Sequence, residues 1–380
     1  MVDAWLLWGV GVGAAVTLLF QGLALLLAFE MPHLYPLPPT RLPSFPRLSV
    51  VIAARNEEEA IGDCLDDLLA QEYPGAYEIF VVDGQSTDRT RDVVRSKGER
   101  IRLIEEPPLP PGWVGKNWAC HCGAQASHSE FLLFTDADMR YHPRALATVV
   151  EWAERESADL ATVGSRIEMH GFWENVVMPF YTQAVLTYFR TPHVNRPDSS
   201  TAMANGQFML VRRAPYDAMG GHEAIRGSVL EDVKLAQQFR TAGRRLRVAW
   251  APELVSTRMY RNRHEMFEGL LKNVHGVEYS TARQVGFLAA LVGFFLLPLF
   301  VLPVGLGLGS LPLVLVGLVI WIALFGKHVA FAQAVRGRAA YGLLFPIAVA
   351  FYLVLVATSI RQGRARAPLV WKGRAYPRQA

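Results

Sequence analysis

The stretch FLLFTDADMR, residues 131–140, joins an apolar run to a pair of acidic residues. Its first half has the length and composition of a buried strand. It runs directly into Asp136 and Asp138, which only Ala137 separates. Two carboxylates this close repel each other, and neither can be buried without a positively charged partner. The stretch therefore predicts a strand that ends at a cation, which is a metal ion, an Arg or Lys side chain, or a helix N-terminus.

Three more apolar stretches of strand length precede this one, at residues 48–54, 77–82 and 101–104. Residues 57–71 separate the first two and carry the periodicity of a helix, and Asp88 is placed to begin another helix. Alternation of strands and helices predicts an α/β fold with a Rossmann-like, mostly parallel sheet. Strands that are apolar throughout are typical of a sheet covered by helices on both faces.

Polar side chains follow three of these four strands. They are Arg55, Asn56 and Glu57 after the first strand, Asp83 and Asp88 after the second, and Asp136 and Asp138 after the fourth. Ligands of parallel sheets bind beyond the carboxyl ends of the strands, so this edge is the predicted site. Capping of the following helix is the alternative role for Asp88.

The chain is also rich in apolar residues, which make up 51% of its 380 positions. Residues 5–29 contain no charge and, at about 1.5 Å per residue, exceed the roughly 30 Å of a bilayer's hydrocarbon core. Asp3 precedes them instead of the basic start of a signal peptide, so a retained transmembrane helix is favoured over that alternative. Residues 285–360 hold about three more apolar blocks, for which a buried bundle of soluble helices is the alternative reading.

These observations predict five segments. They are a transmembrane helix (1–30), a cytoplasmic α/β domain (40–265), an interfacial helix (266–284), about three transmembrane helices (285–360) and a basic tail (361–380). The net charge of +4 is not a nucleic-acid signature, and the basic tail can meet anionic lipid.

The distribution of basic residues predicts the orientation in a bacterial cytoplasmic membrane. Arg41 and Arg47 follow the first apolar helix, which places the α/β domain in the cytoplasm. Three C-terminal crossings would then place the basic tail outside. Either the last block does not cross fully or one block is re-entrant, and the sequence does not decide between them.

Four motifs carry a resemblance to a known family. VVIAARNEEEAIGDCL (50–65), IFVVDGQSTDRT (79–90), LLFTDAD (132–138) and VLEDVKLAQQFRTAGRR (229–245) stand in the order and spacing of family 2 glycosyltransferases with a GT-A fold. PPGWVGKNWAC (110–120), TRMYRNRHEMFEGLLKN (257–273) and VWKGRAY (370–376) are similar to membrane-bound enzymes associated with hopanoid and carotenoid glycosylation.

The resemblance implies a role for each acid of the opening stretch. Asp138 would bind a divalent cation, Mg²⁺ or Mn²⁺, directly, and Asp136 would contact the ribose or share the metal. An Arg partner is the alternative cation.

The resemblance also implies a nucleotide-sugar site. Glu57 and Asp83 would contact the base and ribose, Ala53 would offer backbone groups, and Arg55 lies beside them. Lys116 would reach the nucleotide or its phosphates, unless it is merely solvated.

A second acidic pair, Glu231 and Asp232, resembles the family's catalytic pair. Asp232 would be the general base and Glu231 would orient the site, whereas both acids could instead cap the helix that follows. Arg258 and Arg261 are candidates for a diphosphate clamp, and solvated or lipid-facing arginines are the alternative. The Trp expected after such arginines in polysaccharide synthases is absent here, which disfavours that activity.

The acceptor is expected to be apolar. Residues 172–189 mix aromatic and polar side chains, which suits an interfacial helix, with a core helix as the alternative. We expect an inverting enzyme that moves a hexose, with glucose and UDP as the expected sugar and nucleotide, to a hopanoid- or carotenoid-like lipid. The alternatives are a polyprenyl-phosphate hexose synthase and a non-catalytic nucleotide-sugar-binding membrane subunit.

Overall fold

The computed structural model describes five stretches of the chain, residues 4–36, 42–276, 281–364, 369–371 and 374–376. It divides into two compact units, neither continuous in sequence. The helical unit comprises residues 1–30, 168–188 and 260–369, and the sheet unit comprises residues 31–167, 189–259 and 370–380. Four of the basic residues used in the orientation and tail predictions, Arg41, Arg366, Lys372 and Arg378, lie outside the described residues.

Ten strands lie between residues 31 and 259 of the sheet unit. They are β1 (Leu48–Ala54), β2 (Tyr77–Asp83), β3 (Ile101–Glu105), β4 (Phe131–Asp136), β5 (Met139–Tyr141), β6 (Leu160–Gly164), β7 (Arg166–Ile167), β8 (Phe208–Arg212), β9 (Leu246–Trp250) and β10 (Val255–Thr257). Seven form the main sheet in the order β3-β2-β1-β4-β8-β6-β9, and β5, β10 and β7 form a small second sheet. Only β8 runs antiparallel to its neighbours in the main sheet. The prediction of an α/β fold with a mostly parallel sheet is confirmed.

Helices cover both faces of this sheet. The helices of the sheet unit are α2 (Ile61–Leu69), α3 (Thr90–Ser96), α4 (Gly115–Ala126), α5 (Ala145–Arg155), α7 (Arg213–Ala218) and α8 (Glu231–Thr241), with short 3₁₀ helices at Thr191–Asn195 and Glu223–Ile225. Side chains of α2 and α5 pack in one apolar core, and side chains of α4 and α8 pack in another. This two-sided burial agrees with strands that are apolar throughout.

The helix α2 begins later than the predicted start at Glu57. Asn56 adopts a left-handed conformation with φ of 54°, which a helix cannot continue through. The next two backbone N–H groups are used elsewhere, because Glu57 donates to Thr90 Oγ1 (2.8 Å) and Glu58 donates to Asp88 Oδ2 (3.1 Å). Asp88 also accepts from the N–H of Thr90, so its carboxylate ties two loops together at the site edge.

The strand register aligns the polar strand ends. Ala53 of β1 lies opposite Asp136 of β4, and Ala54 lies opposite Asp83 of β2. Asp83 in turn lies opposite Glu105 of β3. The predicted site residues of β1, β2 and β4 therefore lie at one level along a single edge, which continues to Glu105 of β3.

The helical unit holds α1 (Ala4–Phe29), α6 (Phe172–Tyr188), α9 (Arg263–Gly276), α10 (Thr281–Leu291), α11 (Val301–Gly307), α12 (Leu311–Ala334) and α13 (Phe345–Arg364). A π-helical segment (Val292–Leu296) and a 3₁₀ helix (Leu297–Phe300) join α10 to α11, and a 3₁₀ helix (Ala339–Leu344) leads into α13. Three continuous helical stretches, Thr281–Gly307, Leu311–Ala334 and Ala339–Arg364, are long and apolar enough to cross a membrane. The described side chains of α1 form a shorter apolar stretch, Gly9–Leu23, so its role as a transmembrane helix stays a prediction.

Most of α6 is buried within the helical unit. Phe180 is only 4% exposed, and its ring packs against Phe295 and Tyr352. Glu174 and Asn175 are also buried and hold the helix start, with Asn175 Nδ2 donating to Met169 O (3.0 Å). This packing favours the core-helix alternative for α6, although Phe172 and Tyr188 at its ends are exposed.

Candidate active site

The two acidic pairs meet through one lysine. Lys116 Nζ lies 2.6 Å from Asp136 Oδ1 and 2.8 Å from Glu231 Oε1. Burial alone would lower the pKa of Lys116, but the two carboxylates outweigh burial and hold the pKa well above its usual value. The cation required at the end of β4 is therefore supplied, in this structure, by Lys116 rather than by an Arg.

A contact between α4 and the loop that precedes α8 explains why Lys116 reaches Glu231. Asn117, which is fully buried, points its Nδ2 at the backbone oxygens of Ile225 (2.8 Å) and Ser228 (2.9 Å). The residues after Ser228 lead directly into α8, which begins at Glu231. Asn117 thus fixes the start of α4 to the start of α8 and places the lysine between the two acidic pairs.

Asp232 is held by a backbone N–H from the segment before β8. Its Oδ2 accepts from Gly206 N over 2.9 Å, and its Oδ1 accepts from its neighbour Val233 N over 2.8 Å. Burial and the neighbouring Glu231 carboxylate raise the pKa of Asp232 to about 6, against the opposing charge of Lys116. A carboxylate with a pKa just below neutral is ionised at pH 7 and still basic enough to take a proton.

Asp138 faces the small second sheet. Its Oδ2 accepts a hydrogen bond from Thr257 Oγ1 of β10 over 3.0 Å, while Asp136 remains 32% exposed at its side chain. Within the described residues, no group of three or more His, Cys, Asp or Glu side chains is arranged to hold a metal ion. A pair of carboxylates fits a hard divalent cation that takes its remaining oxygen ligands from a bound diphosphate.

Four of the residues predicted to bind the nucleotide lie at the ends of β1 and β2. Asp83 is buried, and its carboxylate accepts from Ser86 N (3.1 Å). Arg55 donates to the backbone oxygens of Gly84 and Gln85, the latter at 3.1 Å. Ala53 and Glu57 flank Arg55 on the chain and are both partly exposed, so all four predicted contacts lie along one short edge.

The two candidate clamp arginines belong to different units. Arg258 follows Thr257 in the sheet unit and is partly buried. Arg261 lies in the helical unit, where it is exposed and its backbone N–H donates to Glu265 Oε2 (3.0 Å). The roles of Arg258 and Arg261 as a diphosphate clamp both stay predictions.

Gly206 and Thr257 are site residues that the sequence reasoning missed. A Cβ on Gly206 would lie 3.0 to 3.2 Å from Glu231 Oε1, Lys116 Nζ and Asp232 Oδ2, so a glycine is needed where these three side chains converge. The only local signal was a Gly after Asn205 just before an apolar strand, which reads as an ordinary turn.

The α/β architecture is a fold of the GT-A type, as predicted. A mannosyltransferase from Pyrobaculum calidifontis, solved with GDP-Man and Mn²⁺, is similar in structure over 94% of this chain and 99% of its own, with a TM-score of 0.52 and 18% identity. Residues 49–220 match the model of glycosyl transferase family 2.

Two curated relatives come from staphylococci. The 4,4'-diaponeurosporenoate glycosyltransferase of Staphylococcus haemolyticus is 26% identical over 232 residues, which is 60% of this chain and 60% of that protein. The protein of the same name from Staphylococcus aureus is 26% identical over 56% of each chain. The match thus spans a little more than half the length of these relatives. The resemblance to carotenoid-modifying enzymes is confirmed, and the hopanoid resemblance stays a prediction.

Proposed function

We propose that this protein transfers a hexose from a nucleotide sugar to a carotenoid-like membrane lipid, with inversion at the anomeric carbon. The observation that carries the proposal is the Lys116 bridge, which joins the donor-side Asp136 to the base-side Glu231 within hydrogen-bonding distance of both. Donor phosphate and acceptor nucleophile have to meet at the anomeric carbon, so the residues that serve them must lie close together.

Asp232 is the general base in this proposal. An acceptor hydroxyl attacks the anomeric carbon, its proton passes to Asp232, and the bond to the nucleoside diphosphate breaks on the opposite face. An ionised carboxylate acceptor would form the same bond without a proton to give up. Gly206 N donates to Oδ2 of Asp232, and Val233 N, at the start of α8, donates to Oδ1, so two backbone groups fix the carboxylate. Glu231, paired with Lys116, orients the base and raises its pKa by repulsion.

Asp136 and Asp138 would hold a divalent cation, Mg²⁺ or Mn²⁺, together with the donor diphosphate. The mannosyltransferase of similar fold was solved with Mn²⁺, and two oxygen-donor side chains at one strand end suit the same class of ion. When bound, the cation would neutralise the charge of the departing diphosphate. Lys116 would then move from Asp136 toward the phosphates, since it is a flexible side chain already at this edge.

The acceptor class rests on two supports. The staphylococcal relatives are named for a carotenoid-type acceptor, and the chain carries three helices apolar enough to enter a membrane. UDP-glucose is the proposed donor. A polyprenyl-phosphate hexose synthase and a non-catalytic nucleotide-sugar-binding subunit are the competing functions.

One incubation separates these functions. Purified protein is mixed with Mn²⁺, total bacterial membrane lipid supplemented with a carotenoid carboxylic acid, and in turn UDP-glucose, UDP-galactose, GDP-mannose and other nucleotide sugars. Mass spectrometry of the lipid extract should show a carotenoid or other neutral lipid heavier by one hexose with one donor. A hexosyl polyprenyl phosphate would favour the first competitor. Nucleotide binding without any product, under conditions in which the Asp232→Asn variant behaves identically, would favour the second.

A further inference from the structure

An arginine from the C-terminal tail reaches the predicted nucleotide edge. Arg374 lies in the short strand β12 (Arg374–Tyr376), which pairs with β11 (Leu369–Trp371). Its Nη2 lies 3.0 Å from Glu106 Oε1 and donates to Gly84 O over 3.1 Å. Glu106 directly follows β3, so the tail contacts the ends of both β2 and β3.

This contact is buried on both sides. The Glu106 side chain is fully buried, and the Arg374 side chain is 13% exposed. Burial raises the pKa of Glu106, although the hydrogen bond and charge of Arg374 oppose the shift. A buried carboxylate without a cation is costly, so Glu106 provides a firm anchor for the guanidinium of Arg374.

The anchored guanidinium keeps donors for a ligand. All three hydrogen bonds of Arg374, to Gly84, Gln85 and Glu106, leave from Nη2. Among the described residues, none accepts from its Nη1 or Nε. Gly84 O also accepts a hydrogen bond from Arg55, so Arg374 and Arg55 share one acceptor. Arg55 is one of the residues predicted to bind the nucleotide.

We propose that Arg374 binds the base of the nucleotide donor, by donating hydrogen bonds from Nη1 or Nε to a ring carbonyl oxygen. The proposal rests on the proposed function, because it requires a nucleotide at the ends of β1 and β2. Uracil and guanine carry such a carbonyl and adenine does not. Arg374 is therefore a specificity residue, Glu106 is its positioning residue, and β12 is part of the donor site.

The charged groups around Arg374 are consistent with this role. Asp83 and Glu105 lie on the neighbouring strand ends, and both form ion pairs with Arg91. Arg91 Nε lies 3.8 Å from Asp83 Oδ2, and Arg91 Nη1 lies 3.5 Å from Glu105 Oε2. Among the described acidic residues, only Glu106 pairs with Arg374. A neutral base with a carbonyl edge can therefore enter beside Arg374 without displacing an existing ion pair.

Equilibrium titration of the full-length protein with UDP, GDP and ADP, each with Mn²⁺, tests the proposal. Arg374→Ala should weaken binding of UDP or GDP, whichever the wild type prefers, by roughly tenfold to a hundredfold, the scale of a lost hydrogen bond from a charged group. ADP affinity should change less than about twofold, since adenine offers no carbonyl. Arg244→Ala, which removes an exposed arginine of the same unit, is the matched control and should bind like the wild type.

Two further variants test the proposal even if Arg374→Ala fails to fold. Arg374→Lys keeps the charge with a single donor group and should show a smaller loss with the same preference pattern. Glu106→Gln should loosen Arg374 and reduce discrimination between UDP and ADP without abolishing binding. Equal weakening for all three nucleotides, or no weakening in either Arg374 variant, would overturn the proposal. A wild type that binds no nucleoside diphosphate would instead refute the proposed function.

Discussion

The backbone N–H of Gly206 donates to Asp232 Oδ2 over 2.9 Å, and the same glycine is where Lys116, Glu231 and Asp232 converge. The position of Gly206 thus sets the distance between Asp232, the proposed base, and Lys116, which pairs with Asp136 on the donor side. The chain reaches this point because Asn205 is fixed to β6 through Thr162, whose Oγ1 accepts from Asn205 N over 2.9 Å.

Replacing Gly206 with Ala should damage catalysis far more than stability. The three atoms nearest to an added Cβ are the far ends of side chains, and we expect these to shift at a cost of less than about 1 kcal/mol in the free energy of unfolding. The same shift misplaces the base and should lower kcat at least about tenfold, because displacements near 1 Å at a reacting centre can cost a hundredfold. Turnover assays paired with thermal unfolding measure both quantities.

The matched control is Gly62→Ala in α2. A Cβ at Gly62 would make an ordinary 3.4 Å contact with Val93, and Ala stabilises a helix interior by up to about 1 kcal/mol relative to Gly. This variant should keep its turnover. If Gly206→Ala loses stability and activity in step, the glycine serves the fold rather than the site.

Asp232→Asn should separate binding from chemistry. The amide keeps the shape of the side chain but cannot take a proton, so kcat should fall by about a hundredfold or more. The affinity for the nucleotide donor should stay close to that of the wild type. Calorimetry and initial rates give the two numbers. Nearly unchanged turnover would mean that Asp232 only caps α8.

The acid limb of the pH–rate profile should report Asp232. Its pKa is raised to about 6, so the ionised, proton-accepting form predominates above pH 6 and is lost below it. Turnover should therefore halve near pH 6 and fall about tenfold for each further unit, since only the ionised form reacts. Because the pKa belongs to a site shared with Glu231 and Lys116, Glu231→Gln should move the limb to lower pH. A limb that is unchanged in Asp232→Asn would contradict the assignment.

Asp138→Asn should abolish the part of donor affinity that depends on a divalent cation. An amide oxygen is a much weaker ligand for Mn²⁺ than a carboxylate. Thr257→Val is the control, because it removes the hydrogen bond to Asp138 and leaves the carboxylate in place. Titration of UDP or GDP with and without Mn²⁺ should show metal dependence in the control and none in Asp138→Asn. Equal metal dependence in both variants would exclude Asp138 as a ligand.

The sequence predicted the sheet because each strand is apolar and each strand end is polar, which are local properties. It also predicted a cation beside Asp136, but it could not choose among a metal ion, an arginine and a lysine. That choice depends on Asn117, which fixes the start of α4 to the loop before α8 across more than a hundred residues. No local pattern encodes such a contact.

The placement of the tail was equally hidden from the sequence. Arg374 reads as one of several basic tail residues that meet lipid, yet it lies on Glu106, 268 positions earlier in the chain. A fully buried acid after β3 was the clue, but burial is a property of the folded chain. The same is true of α6, whose composition suits an interface while its packing around Phe180 buries most of it.

The contact between Arg374 and Glu106 bears on how often the chain crosses a membrane. Both residues belong to the sheet unit, so the tail and the rest of that unit lie on the same side. In a membrane, the chain between them would therefore cross an even number of times, although it carries three helices long enough to cross.

We expect Ala339–Arg364 to be the helix that does not cross. Of the three helices it is the most buried inside the protein. Its apolar stretch is 44% buried, whereas those of Thr281–Gly307 and Leu311–Ala334 are 22% and 28% buried. The other two form a close antiparallel hairpin, in which a Cβ on Gly317 would lie 2.5 Å from Leu302. Small residues at such contacts are typical of helices that pack within a bilayer.

Cysteine labelling decides the crossing number. Single cysteines replace Leu308 in the hairpin turn, Arg361 at the end of α13 and Arg89, which is 82% exposed on the sheet unit, in a background without Cys64, Cys120 and Cys122. A membrane-impermeant maleimide is applied to intact cells and to inverted vesicles. The cysteines at positions 89 and 361 should react from one side of the membrane, and the cysteine at 308 from the other. Reaction of position 361 from the same side as 308 would mean that all three helices cross and that Arg374 cannot lie on Glu106.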